Sequence, residues 1–238
     1  MMQLFLLHFA GGSSYSYDFL KGHIPNDVEV ISLELPGRGK RFDQPVLKSK
    51  EETIQDYTRQ ITEMRNNAPY CIYGHSMGAT LGLSVTHEMQ KRGDYPESLI
   101  VSGNAGPGVS YDDLDEPKKK RYLMNDEEFK NELRDLGGVP EEVLVNEELY
   151  SFFMPIMRAD FEVLEKDDYS EEGIALKVPI YALMGSEEKT SNKIDNWGRF
   201  TVSNFQRKVL EGNHFFIYDH VKELSKTIIN CYEAQLQI

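Results

Sequence analysis

Short apolar runs, rich in β-branched and aromatic residues, recur along the chain at 4–9, 28–35, 70–73, 99–102, 179–184 and 207–210. Each has the length and continuity of a strand buried on both faces. Between them the apolar positions change to helical spacing. Ile54, Tyr57, Ile61 and Met64 form one stripe, Leu81, Val85 and Met89 a second, and Val221, Leu224, Ile228 and Cys231 a third. Strands alternating with amphipathic helices predict an α/β fold, a mostly parallel sheet with helices on both faces. The alternation breaks between Asp112 and Tyr169, where helical patterns dominate, such as Phe129, Leu133 and Leu136 ending at Gly137 and Gly138. The expected organisation is therefore one domain over 1–238 with a helical insertion at about 112–169. Ligands of open α/β sheets bind at the carboxyl ends of the strands, so an insertion there would lie over the site as a lid.

Composition narrows the function. The 238 residues suit a single α/β domain, and 40% hydrophobic with 27% charged residues suits a globular chain. Asp and Glu outnumber Lys and Arg by 39 to 26, for a net charge of -13. That charge repels the phosphate backbone on which nucleic-acid affinity rests, so no nucleic-acid partner is expected. The first apolar run is far shorter than the ~20 residues of a membrane helix. It has no basic flank and passes directly into Ala10, Gly11 and Gly12, so it reads as a strand rather than a signal peptide. A cytoplasmic protein with no membrane association is expected. Cys71 and Cys231 lie in strand-like and helix-like runs, which predicts two buried free thiols rather than a disulfide or metal site.

The strongest chemical signal is Gly74, His75, Ser76, Met77, Gly78, which follows the run at 70–73 and opens the helix carrying Leu81 and Val85. A serine between two glycines at a strand-to-helix turn is the nucleophile elbow of the α/β-hydrolase fold, where side chains flanking the tight turn would collide. A hydroxyl needs a base to become nucleophilic at neutral pH. Of six histidines, only His214, in Glu211, Gly212, Asn213, His214 after the last strand and before the last helix, fits the chain order serine, acid, histidine. His75 beside the serine is expected to pack or hydrogen-bond within the elbow, and His8, His23, His87 and His220 to be surface or packing residues. The acid belongs on the loop after 179–184, which reads Gly185, Ser186, Glu187, Glu188. Glu188 is the first candidate, Glu187 the second and Asp195 the third. Oxyanion donors are expected from the backbone N–H groups of Met77 and of Ala10, the latter in the small-residue turn Phe9, Ala10, Gly11, Gly12.

These residues carry a resemblance over nearly the whole chain. The segments His8-Phe9-Ala10-Gly11-Gly12, Leu35-Pro36-Gly37-Arg38-Gly39, Gly74-His75-Ser76-Met77-Gly78, Leu136-Gly137-Gly138-Val139-Pro140-Glu141, Pro155-Ile156-Met157-Arg158-Ala159-Asp160 and Gly212-Asn213-His214 resemble the type II thioesterases that accompany non-ribosomal peptide and polyketide synthetases. The resemblance implies hydrolysis of acyl groups from the phosphopantetheine thiol of a carrier protein. A serine mechanism of this kind needs no metal or organic cofactor, and a monomer is expected. The family places aspartate on the acid loop, and Glu187 and Glu188 depart from that pattern. Phe152, Phe153, Met154, Met157 and Phe161 are candidates for an acyl pocket. An acidic carrier would dock on the basic run Lys118, Lys119, Lys120, Arg121 or on Arg38, Lys40 and Arg41. A serine esterase of small free esters and a non-catalytic carrier-binding module on a hydrolase fold are the alternative readings.

Overall fold

The computed structural model describes residues 2–109, 119–166 and 169–233. Six strands, β1 (Met2–Leu7), β2 (Val28–Ser32), β3 (Tyr70–His75), β4 (Ser98–Ser102), β5 (Ile180–Gly185) and β6 (Phe205–Leu210), form one parallel sheet in the order β2-β1-β3-β4-β5-β6. The α-helices are α1 (Asp18–Lys21), α2 (Lys50–Met64), α3 (Met77–Lys91), α4 (Asp126–Leu136), α5 (Glu141–Val145), α6 (Glu147–Glu165) and α7 (Val221–Glu233).

Side chains alternate across each strand, and this period of two builds two cores. Phe5 and Leu7 of β1, Ile72 of β3, Leu99 and Val101 of β4 and Met184 of β5 pack with Ile54, Tyr57 and Ile61 of α2 and Leu81, Val85 and Met89 of α3. Met2, Leu4 and Leu6, with Cys71, Tyr73, Ile100 and Leu183, face the other way onto Leu20 of α1 and Leu224, Ile228 and Cys231 of α7. Both thiols are buried and free, and burial pushes the Cys71 thiol up to about 12.

The six expected strands are present with shifted ends. β1 runs 2–7 rather than 4–9, because the chain leaves the ladder at His8 and Phe9 opens the turn that closes with Gly12 N–H on its carbonyl. β2 stops at Ser32. β6 is an edge strand whose middle residues are exposed, so burial on both faces does not hold there. Its Arg207 and Lys208 instead charge an edge that would otherwise invite pairing with another chain. Met64 ends α2 and is exposed, outside the stripe made by Ile54, Tyr57 and Ile61.

Between β4 and β5 the described residues at 119–166 hold α4, α5 and α6 and no strand. Residues 112–118 and 167–168 of the expected insertion lie outside the described residues. This segment has its own small core of Phe129, Leu133, Leu144, Tyr150, Met154, Met157 and Phe161. Asn125 opens α4 with a capping box shared with Glu128, and Gly137 at φ 72 ends it.

Candidate active site

The sheet delivers Ser76 between the end of β3 and the start of α3, at φ 55 and ψ -111. It is the one non-glycine residue with positive φ among the described residues. Such a conformation costs on the order of 1–3 kcal/mol and persists only where the surroundings impose it. They do so here. Ser76 N–H donates to the Ser102 carbonyl of β4 at 2.8 Å, and the Ser76 carbonyl accepts from Ala79 N–H at 3.0 Å and from Asn104 Nδ2 at 3.3 Å. A Cβ on Gly74 would overlap the Gly78 carbonyl, and one on Gly78 would overlap the Leu7 carbonyl. Both elbow glycines are thus fixed by backbone that cannot yield.

His214 Nε2 lies 3.0 Å from Ser76 Oγ, and His214 Nδ1 lies 2.8 Å from Glu188 Oε2. Glu188 Oε1 accepts Gly185 N–H at 2.8 Å, which orients the carboxylate. The acid and histidine loops are pressed together, since a Cβ on Gly185 would overlap the carbonyls of Gly212 and Asn213. His214 and Glu188 are 15% and 7% exposed, so the chain of bonds is shielded yet reachable at the serine end. The other two acid candidates are elsewhere: Glu187 is exposed, and Asp195 is exposed and paired with Arg207.

His75 is buried, with Nδ1 2.9 Å from Ser102 Oγ, and that hydroxyl meets Tyr73 Oη at 2.8 Å. Burial first, and then the neighbouring His214, hold its pKa well below the ordinary histidine range, so it stays neutral. His8 is buried too, with Nδ1–H on the Phe9 carbonyl at 2.9 Å and its ring edge on Tyr57. Burial and the nearby Arg38 lower its pKa to about 4.

Ala10 and Met77 both line the cavity that Ser76 and His214 enter. No hydrogen bond among the described residues uses the N–H of either. Met77 is the first residue of α3, where N–H groups lack intrahelical acceptors and carry the positive end of the helix dipole. The cavity holds about 1240 Å³ and is walled by the insertion through Leu133, Leu136, Val139, Phe153, Met157 and Phe161. Of the five residues expected around an acyl group, Phe153, Met157 and Phe161 line it, Met154 is in the insertion core and Phe152 faces solvent.

Four residues of the two basic clusters make internal pairs. Arg38 is buried against Asp160, and Arg41 pairs with Asp56. Lys119 pairs with Glu128, and Arg121 with Glu132 and Glu165, while Lys118 lies outside the described residues. Lys40 alone of the Arg38, Lys40, Arg41 cluster is exposed without an internal ion pair among those described. Sequence reasoning missed two contributors to the site, Asn104 behind Ser76 and the Arg38–Asp160 pair beside Ala10. The segment Arg158-Ala159-Asp160 had marked the second, but nothing local told which arginine Asp160 would meet.

Comparison with known proteins adds independent information. The thioesterase domain family model matches residues 2–232. The gramicidin S biosynthesis protein GrsT of Aneurinibacillus migulanus is 30% identical over 226 residues, covering 94% of this chain and 86% of the relative. Thioesterase PikA5 of Streptomyces venezuelae is 29% identical, covering 94% and 78%. Among solved structures, YbtT, a type II thioesterase of the yersiniabactin pathway, superposes with a TM-score of 0.85 at 26% identity, covering 98% of this chain and 93% of the other.

Proposed function

The chain belongs to the thioesterase domain family, and we propose that it is a type II, editing thioesterase that removes acyl or aminoacyl groups from the phosphopantetheine arm of carrier proteins in peptide or polyketide synthesis. The observation that carries this reading is the unbroken chain Ser76, His214, Glu188 opening into a large, partly apolar cavity. By their names GrsT is a gramicidin S biosynthesis protein, PikA5 a thioesterase, and YbtT a type II thioesterase of the yersiniabactin NRPS/PKS pathway, which supports this reading.

In this reading Ser76 Oγ attacks the thioester carbonyl carbon while its proton passes to His214 Nε2. Glu188 holds Nδ1–H and offsets the charge of the imidazolium, as expected of the third member of a triad. The carbonyl electron pair moves onto oxygen, where the Ala10 and Met77 N–H groups receive it. The carbonyl re-forms as the C–S bond breaks, and the thiolate takes the proton from His214. Water then attacks the acyl-serine with His214 as base, releasing the carboxylic acid and restoring the hydroxyl. The insertion of 112–169 acts as a lid on a single domain of 1–238, and the protein works as a monomer in the cytoplasm.

The test is hydrolysis of an acyl-phosphopantetheinyl carrier, followed by the mass of the carrier, beside the same acyl group on a simple thiol. Loss of the acyl mass with wild type and none with Ser76→Ala is expected. Rapid cleavage of simple esters with the acyl carrier untouched would assign the chain to free-ester hydrolysis instead. A wild type inert toward both, and unlabelled by a fluorophosphonate, would leave only carrier binding.

A further inference from the structure

The turn that carries Ala10 is gripped from outside at three backbone points. Gly11 N–H donates to Asp160 Oδ2 at 2.7 Å, the Gly12 carbonyl accepts from Arg38 Nη1 at 3.2 Å, and Ser14 N–H donates to Glu34 Oε1 at 2.9 Å. Arg38 and Asp160 face each other as a bidentate pair at 2.6 and 2.7 Å, with side chains 5% and 2% exposed. Asp160 belongs to α6, which the chain inserts between β4 and β5, and Met157 one turn earlier packs directly under Gly11. The insertion therefore reaches the glycine turn with both an apolar and a charged contact.

The turn itself shows what that contact controls. Gly12 N–H closes on the Phe9 carbonyl at 2.9 Å, which puts Ala10 and Gly11 at the two central positions, and Gly11 has φ +74. Positive φ at the third residue is the mark of a type II turn, which differs from type I by a flip of the central peptide. That peptide joins Ala10 to Gly11. Flipping it would withdraw Gly11 N–H from Asp160 and turn the Ala10 carbonyl oxygen toward the carboxylate, so the negative charge selects one orientation. Arg38 keeps Asp160 aimed, because a fork of two charge-assisted bonds fixes both carboxylate oxygens.

We propose that Asp160, held by Arg38, is a positioning residue for the oxyanion site: by anchoring Gly11 N–H, with Arg38 on the Gly12 carbonyl, the pair fixes the turn that carries Ala10 and so holds Ala10 N–H in place for the developing oxyanion, and a helix of the insertion builds part of the catalytic apparatus. The inference rests on the reading of Ser76 and Ala10 given above. It makes the segment of α6 around 157–160 a buttress of the turn.

Asp160→Ala leaves the Arg38 charge buried and unpaired, and its loss of activity would be uninformative if the protein unfolds. The double variant Arg38→Met, Asp160→Leu removes both charges and keeps the volume, an exchange that buried ion pairs often tolerate. Removing an oxyanion donor outright lowers kcat by ~10²–10³. A donor loosened rather than removed should lower kcat on an acyl thioester of a simple thiol by about tenfold to a hundredfold, with KM changed less than about threefold. Affinity for an alkyl boronic acid, whose serine adduct places an oxygen in the oxyanion site, should fall in proportion to kcat. Affinity for the matching uncleavable thioether should hold. A cooperatively melting double variant with wild-type kcat overturns the proposal, as does equal weakening of boronic acid and thioether. Ser76→Ala run in parallel separates the two levels: turnover by Ser76→Ala would overturn the site reading itself, whereas a dead Ser76→Ala beside a fully active double variant overturns only the role of Asp160.

Discussion

Replacing Glu188 by glutamine removes a charge while preserving shape, and the structure dictates how the amide must fail. The carboxylate uses both oxygens, Oε2 for His214 Nδ1 at 2.8 Å and Oε1 for Gly185 N–H at 2.8 Å. An amide has one oxygen. If that oxygen keeps Gly185 N–H, the NH2 group faces Nδ1 and forces the ring proton onto Nε2, which then donates to Ser76 instead of accepting from it. If the amide turns over, the histidine tautomer is correct but two donors meet at Gly185, an unmade buried bond worth about 1–3 kcal/mol. The productive orientation is then a minority by roughly a factor of ten to a hundred. It also lacks the charge that stabilises the imidazolium, and charge-assisted bonds are about twice as strong as neutral ones. Together these predict a fall in kcat of ~10³–10⁴, in line with the loss on aspartate-to-asparagine exchange in a serine triad. Glu187→Gln, at an exposed position, should stay within about threefold of wild type. Thiol release from an acyl thioester at pH 7.5 reads both. Glu188→Gln keeping more than a tenth of wild-type kcat would refute the reasoning.

Three further outcomes are expected. Ser76→Gly should abolish turnover yet raise thermal stability by about 1 kcal/mol, or ~2–4 °C in Tm, because glycine relieves the φ 55 backbone; an unchanged or lower Tm would contradict stored strain at the elbow. Gly78→Ala should destabilise by more than ~3 kcal/mol in urea unfolding, since its methyl has only the Leu7 carbonyl to enter. Lowering the pH should weaken the fold through His8: with a folded pKa of about 4 against 6.5, its stabilisation is complete above pH 6.5 and is lost as the pH falls toward 4, about 2 kcal/mol by pH 5. His8→Asn, measured by urea midpoints at pH 7.5 and 5, should flatten that slope.

The elements that local pattern specifies were legible, and those set by neighbours were not. Interior strands β1, β3, β4 and β5 are apolar on both faces and announce themselves in the sequence, whereas the exposure of β6 follows from its place at the end of the strand order. The glycine pair around Ser76 is legible because backbone contacts within a few residues require it, at least at Gly74. Between Glu187 and Glu188 the sequence could only rank. The choice is made by the turn in which Glu188 N–H returns to the Gly185 carbonyl at 3.2 Å, sending the two adjacent side chains apart. The basic run at 118–121 has the density of a docking face in the sequence, but the carboxylates that pair with its Lys119 and Arg121, namely Glu128, Glu132 and Glu165, come from α4 and α6. Arg38 and Asp160, 122 residues apart, meet only once the insertion has folded over the sheet.

The division of labour in the molecule follows from which parts can yield. Ser76, His214 and Glu188 stand at the carboxyl ends of β3, β6 and β5, where parallel strands converge and where β1 and β4 lock the elbow through the Leu7 and Ser102 carbonyls. A shift in any of these strands would have to be shared by the whole sheet, so reacting groups set there keep their 2.8–3.0 Å spacings. The cavity wall is different, since Leu133, Leu136, Val139 and Phe153 come from the insertion, whose small core is separate from the two that clamp the sheet. Changing the volume of those side chains alters the room for an acyl group without moving the serine. The exceptions are the stretch of α6 that carries Met157 and Asp160, which touches the Ala10 turn itself, and Gly138, which lies against the ring of Phe215 beside His214. Variation that tunes the cavity is therefore free along α4 and the start of α6, and confined at Gly138 and where α6 meets Gly11.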